Sequence, residues 1–469
     1  MIKTFRYRIP VSLAILPLPP YDITTMKTKI LPSLLTLLTV SFALSLSPVH
    51  AGEDPSDPPP SHPLHDLALP FTSPDHLAPL IEEASRARLV LLGESTHGTS
   101  EFYAYRDAIS RRLVADHGFR FIAVEGDWNS LYQLNRYVKG RPDAGPSVPL
   151  IMKTFTRWPQ WMWANHETAA LIEWLREFNQ TLPPDQRVGF YGIDVYGQET
   201  SLHELPRIAA RHDPELGQWI ADQTACLTPF GGDIGAYIGA LRAGMQPCAE
   251  ALAAITTRLR DQREALDLDP ADYLYLKQMA WVVKNAEKHV RAMDTTGPDS
   301  WNYRARHFFQ TVERLLDHYG PDARGIVWAH NTHIGDARAT SMIQGGQLNI
   351  GQLARERFAD NAYAVGFGAY RGLVIAGRQW GGPREVMTIP PAGPGSFEAF
   401  LHAIGPGNHL ILMSQAAEHL NQIIGNRAIG VIYHPEREFP GNYVPTLPAQ
   451  RYNAFVFFEE TRPLQPIDP

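Results

Sequence analysis

The sequence predicts an α/β protein: a mostly parallel central sheet flanked by helices, interrupted by an all-helical insertion. Three observations carry this. Short apolar runs alternate with stretches of helical periodicity. The runs at Leu89–Leu92, 120–124, 187–193 and 325–329 each end in ionisable residues. Between Ser201 and Tyr319 no strand pattern occurs, whereas 249–266 and 271–293 repeat apolar residues at helical spacing.

Composition narrows the class. The chain has 469 residues with 44% apolar and 19% charged residues, enough for a large core. The formal net charge is -7 and no Lys/Arg-rich run occurs, which argues against nucleic acid and anionic membrane surfaces as partners. Residues 1–51 read as an upstream extension followed by a signal peptide. Met26 is the expected start, Lys27 and Lys29 form a basic region, 30–46 is apolar, and Val49-His-Ala51 fits a cleavage site. The protein is therefore expected to be exported, without stable membrane insertion after cleavage. Residues 52–68 read as a flexible leader, 69–200 as the first part of the core, 201–319 as the insertion, and 320–469 as the second part. Two cysteines, Cys226 and Cys248, suit one disulfide in an oxidising compartment or two buried thiols.

Helical spacing is expected over 65–86. The strand Leu89–Leu92 leads into a turn bracketed by Gly93 and Gly98, read as positions where glycine serves unusual backbone angles. Thr99 or Ser100 can cap the helix that follows, 101–116. Arg106 falls on the apolar stripe of that helix with Phe102, Ile109 and Leu113, and a buried charge needs a partner. The second strand ends at Glu125, and helices are expected over 129–138 and 168–179. Trp128, Trp161 and Trp163 are read as walls of a substrate cleft. Asp194 closes the third strand, and Pro247 fits the first turn of a helix. The strand 325–329 ends at His330-Asn-Thr-His333. Further strands are expected at 362–366, 410–413, 430–433 and 454–459.

In a parallel sheet these strand ends share one edge, where ligands bind. Glu94, His97, Glu125, His330 and His333 would converge there, with Arg106 one helix away. No Gly-x-Ser-x-Gly, His-Glu-x-x-His or phosphate-loop motif is present. Acids, imidazoles and a guanidinium suit activation of water and stabilisation of an oxyanion. The same residues offer N and O ligands for a divalent metal, so a cofactor is not required but a metal-dependent hydrolase stays open. So does an exported protein that binds haem, metal or a hydrophobic ligand without turnover.

Gly93-Glu-Ser-Thr-His-Gly98, Val124-Glu-Gly-Asp-Trp128, Trp161-Met-Trp163, Trp328-Ala-His-Asn-Thr-His-Ile334 and the ending Arg451 to Arg462 resemble the erythromycin esterase family. The resemblance runs in order from about residue 70 to the C-terminus. It implies an α/β core with a helical insertion, and hydrolysis of a small-molecule ester or lactone, macrolide-like, by water without a covalent intermediate. His97 falls on the family's general base, and Glu94, Arg106, Glu125, His330 and His333 on its other site positions.

Overall fold

The computed structural model describes residues 63–468, so the expected signal segment and the leader up to residue 62 lie outside the described residues. Eleven strands occur among the described residues: β1 (Leu69–Phe71), β2 (Leu89–Leu92), β3 (Phe121–Asp127), β4 (Gly189–Asp194), β5 (Gly325–Trp328), β6 (Ala362–Gly377), β7 (Arg384–Ile389), β8 (Asn408–Leu412), β9 (Ile424–Arg427), β10 (Tyr443–Thr446) and β11 (Ala454–Thr461). Nine form one sheet in the order β1-β8-β11-β6-β2-β5-β3-β4, with β7 paired to β6. The run from β11 to β4 is parallel throughout. β8 runs antiparallel to β11, β1 antiparallel to β8, and β7 antiparallel to β6.

The central strands are continuously apolar because both faces are covered. Successive side chains point to opposite faces. Leu89 and Leu91 therefore join the core beneath the insertion. Val90 and Leu92 face the helices Ser100–His117 and His166–Gln180. Burying one such leucine or valine contributes about 1.5–3 kcal/mol.

The insertion is helical as expected. It comprises Gln198–His212, Pro214–Thr224, Ile234–Arg242, Ala249–Asp261, Pro270–Ala292 and Asp299–Tyr319. Asp213, Asp233 and Asp269 cap three of these by accepting backbone N–H bonds. Its Leu276, Met279 and Phe308 share one continuous core with Leu91 and Val327 of the sheet, so it is a covering layer. Cys226 and Cys248 are joined in a disulfide within it.

Several local expectations are corrected. The leader expected over 52–68 ends earlier, because Leu64 is fully buried in the core. Only Ala78–Ala84 of 65–86 is α-helical, since Leu69–Phe71 is drawn out as β1 by pairing with β8. Pro247 lies outside a helix, and Pro214 and Pro270 occupy helix starts instead. Residues 430–433 form no strand. Ile429 and Tyr433 pack on the β6–β7 hairpin, and the strand nearby is β9, paired with β10. Among the described residues no helix is long and apolar enough to cross a membrane.

Candidate active site

Strand register brings the site together. Leu92 of β2 pairs with Trp328 of β5, Trp328 with Val124 of β3, and Val124 with Gly192 of β4. The next one or two residues on each strand are Glu94, His330, Glu125 and Asp194. Four neighbouring C-terminal ends thus deliver acids and an imidazole to one edge.

The turn after β2 is tight for a different reason from backbone freedom. Neither Gly93 nor Gly98 has a positive φ. A Cβ at Gly93 would strike Asn331, and one at Gly98 would strike the backbone of Ile375. Asn331 locks this junction. Its backbone N–H donates to the Glu94 carbonyl at 2.8 Å, and its side-chain amide donates to the Phe367 carbonyl at 2.7 Å. Thr99 sits at the N-cap of Ser100–His117 but makes no side-chain cap, because its hydroxyl bonds Thr96.

The first half of the site is Glu94, His97 and Arg106. His97 Nδ1 lies 2.8 Å from Glu94 Oε1. Arg106 donates to Glu94 Oε2 at 2.7 Å. Arg106 is fully buried and held between the rings of Tyr103 and Trp328. It therefore stands behind Glu94 rather than in the cleft, and the oxyanion contact expected of it is sterically out of reach. A carboxylate only accepts, so His97 Nδ1 carries the proton and Nε2 presents a lone pair. Burial opposes the imidazolium, but the Glu94 hydrogen bond and the charges of Glu125 and Glu94 outweigh it, so the His97 pKa is raised above 6.5.

The second half is Glu125, His330 and His333. Glu125 Oε2 accepts the His330 backbone N–H at 2.9 Å, and Oε1 lies 3.2 Å from His333 Nε2. His330 Nδ1 accepts from the Thr332 N–H at 3.3 Å and lies 2.8 Å from its hydroxyl. A nitrogen that accepts is unprotonated, so the proton of neutral His330 is on Nε2, which is buried; the Ser95 backbone beside the ring favours a proton there. Burial and then the charge of His97 hold the His330 pKa well below 6.5. The two halves meet where the His97 and His330 rings lie 4.9 Å apart.

Arg304, absent from the expected set, binds the site from the insertion. It donates to both oxygens of Asp194, at 3.0 and 2.6 Å, and to Glu125 Oε1 at 2.9 Å. Its remaining nitrogen lies 3.2 Å from His333 Nε2. Burial would raise both carboxyls. His333 together with His97 and Arg304 holds Glu125 well below its usual range, and Arg304 lowers Asp194. Trp301 stacks on His333 at 4.7 Å from the same helix. The signal available in the sequence was the spacing of Trp301, Arg304 and Phe308, a cation on an apolar helical stripe.

The tryptophans are structural. Trp128 is buried in a stack with Tyr132 and Tyr191, and Trp161 is buried in the opposite core. Trp163 donates its indole N–H to the Glu125 carbonyl at 3.0 Å and so fixes that strand end. All three indoles are buried, as are Glu94, Glu125 and His333. Among the described residues no group of three or more His, Cys, Asp or Glu side chains is placed to hold a metal ion.

Fold and site define an α/β protein with a buried acid–base centre at the C-terminal edge of its parallel strands. The erythromycin esterase family model matches residues 114–461, and the chain belongs to the erythromycin esterase family. It is 27% identical over 147 residues to erythromycin esterase type II of Escherichia coli, a match that spans 31% of this chain and only 32% of that protein. Two solved structures share the fold. A Bacillus cereus protein superposes with TM-score 0.71 at 19% identity, covering 86% of this chain and 97% of that one. A mutant of the erythromycin esterase EreC in its open conformation gives 0.62 at 17% identity, covering 83% and 95%.

The His97 environment carries a test of its role. A general base must be neutral, so if His97 is that base its raised pKa gives kcat/KM an acid limb above the ordinary imidazole value, with rate rising as pH increases through it. Glu94→Gln keeps the shape but removes a charge that favours the imidazolium. Its acid limb is expected to move to lower pH, read from pH–rate profiles of both proteins. An unmoved limb would show that another group titrates.

Proposed function

We propose that the protein is a hydrolase that opens an ester or lactone by water activated at His97. The observation that carries this is the meeting of two complementary tautomers: His97, whose Nε2 keeps its lone pair, and neutral His330, whose Nε2 keeps its proton, have rings 4.9 Å apart. His97 takes a proton from water as the oxygen attacks the carbonyl, while Glu94 holds the imidazolium and Arg106 holds Glu94. His330 Nε2–H and Arg304 stabilise the oxyanion, a contribution of about 10²–10³ in rate per donor in comparable sites. On collapse the acyl C–O bond breaks and His97 returns its proton to the leaving alkoxide. Acid and alcohol are released without a covalent intermediate. Glu125 positions His330 through its backbone and Arg304 through its side chain.

Family membership supports the hydrolase class, and a macrolide-like lactone is the substrate that the family's name brings forward. The Cys226–Cys248 disulfide supports export to an oxidising compartment. Mass spectrometry of macrolides and simpler lactones incubated with the protein is expected to show a gain of one water. The same rate is expected after dialysis against a chelator, because Glu125 already spends both carboxylate oxygens on Arg304, His333 and the His330 backbone. A rate lost to the chelator and restored by a divalent ion would replace water activation by His97 with a metal mechanism.

A further inference from the structure

Beside the site's charges stands a cation, Arg157, that no carboxylate hydrogen-bonds. The Arg157 guanidinium lies 4.1 Å from the centre of the Tyr196 ring and 5.6 Å from Trp380. Tyr196 is also contacted by Arg304, at 5.2 Å. Two like charges thus share one aromatic ring, and the outer one is a single ring away from the group that grips Glu125 and Asp194. Trp158, next in sequence, packs on Trp380 at 4.8 Å and donates its indole N–H to the Gly382 carbonyl. Trp380, at the tip of the β6–β7 hairpin, is 49% exposed.

Among the described residues none accepts a hydrogen bond from the half-buried Arg157 guanidinium. The charges of Asp127 and Asp194 reach it, but neither carboxylate bonds it: Asp127 caps Ser130, and Asp194 is engaged by Arg304. Its neighbours on the hairpin behave otherwise. Arg378 pairs with Glu385 and Glu436, and Arg384 pairs with Asp468. A guanidinium stacked on aromatic faces has already lost much of its side-chain freedom, so its five donors are pre-arranged for a planar acceptor.

We propose that Arg157, walled by Tyr196, Trp158 and Trp380, is a specificity-determining subsite for an oxyanionic group, carboxylate or phosphate, carried on the substrate beyond the reacting carbonyl. This rests on the hydrolase reading and narrows it to esters or lactones that bear an acidic substituent. An aromatic or sugar-like face beside that substituent would lie on the exposed indole of Trp380.

The test is calorimetric titration of wild-type protein, Arg157→Gln and Arg157→Lys with benzoate, phenyl phosphate and the neutral benzyl alcohol. Wild type is expected to bind at least one anion about tenfold more tightly than the alcohol, the scale of a charge-assisted hydrogen bond. Arg157→Gln should erase that preference, and Arg157→Lys should keep part of it as a point charge without the fork. The order of benzoate and phenyl phosphate identifies the oxyanion. Equal affinity for anions and alcohol in wild type, no heat from either anion at millimolar concentration, or a preference that survives in Arg157→Gln would each overturn the subsite. Binding is read without turnover. If lactones that carry a carboxylate or phosphate fail to gain water while the anion preference holds, the hydrolase reading falls and the subsite stands; the opposite result sinks the subsite alone.

Discussion

His97→Ala is expected to lower kcat/KM by about 10³, within the 10²–10⁴ range of a lost general base. The imidazole is 8% exposed and touches the cleft, so its removal opens space to water rather than a core cavity. Glu94 keeps its ion pair with Arg106, and Glu125 keeps Arg304 and His333. The thermal midpoint should therefore stay near that of wild type while turnover disappears. Hydrolysis close to the wild-type rate in a folded variant would remove His97 from the mechanism.

Arg304→Met is expected to damage both stability and rate. It leaves Asp194 and Glu125 buried without the guanidinium that contacts them, and breaking such a pair costs about 3–5 kcal/mol. The sign with pH follows from the depressed carboxyl of Asp194. Its stabilisation is complete above the ordinary Asp value of 3.8 and is lost as pH falls through the lower folded value. Urea unfolding should thus show the full gap between wild type and variant at pH 7 and a smaller one below pH 3.8. Adding Asp194→Asn to Arg304→Met should recover part of the loss. A variant within about 1 kcal/mol of wild type at pH 7 would mean that water, not Arg304, compensates these carboxylates.

The residues legible in the sequence were those whose position depends on strand ends alone. Glu94, His97, Glu125, His330 and His333 follow apolar runs directly, and a parallel sheet leaves few places for them to go. Arg304 was hidden because a helical stripe shows that a residue is turned inward but not what it is turned toward. Arg106 illustrates the same limit from the other side. Its stripe position requires a buried partner, yet only packing reveals that the partner is Glu94 and that two rings close it off from the cleft. The density of tryptophans does not say which face each one serves: Trp128 packs in the core on the insertion side, and Trp161 and Trp163 in the core on the other side of the sheet. The glycines of the first turn were located correctly, but their reason is close approach of Asn331 and Ile375, a contact between segments far apart in the chain.

One feature of the sheet bears on how the protein comes into being. β2 and β3 are consecutive along the chain, yet they are not neighbours: β5 lies between them. The hydrogen bond from His330 to Glu125 closes a loop of 205 residues. During synthesis the first two central strands must wait, with a strand-wide gap between them, until the whole insertion has been made. Such long-range closure is slow and leaves strand edges unpaired in the interval. The insertion helices, rich in local contacts, form quickly by the same rule and can shelter those edges. The edge that gathers Glu94, Glu125 and Asp194 is thus completed in a late step, when the four-residue β5 slots into place and carries His330 and His333 with it.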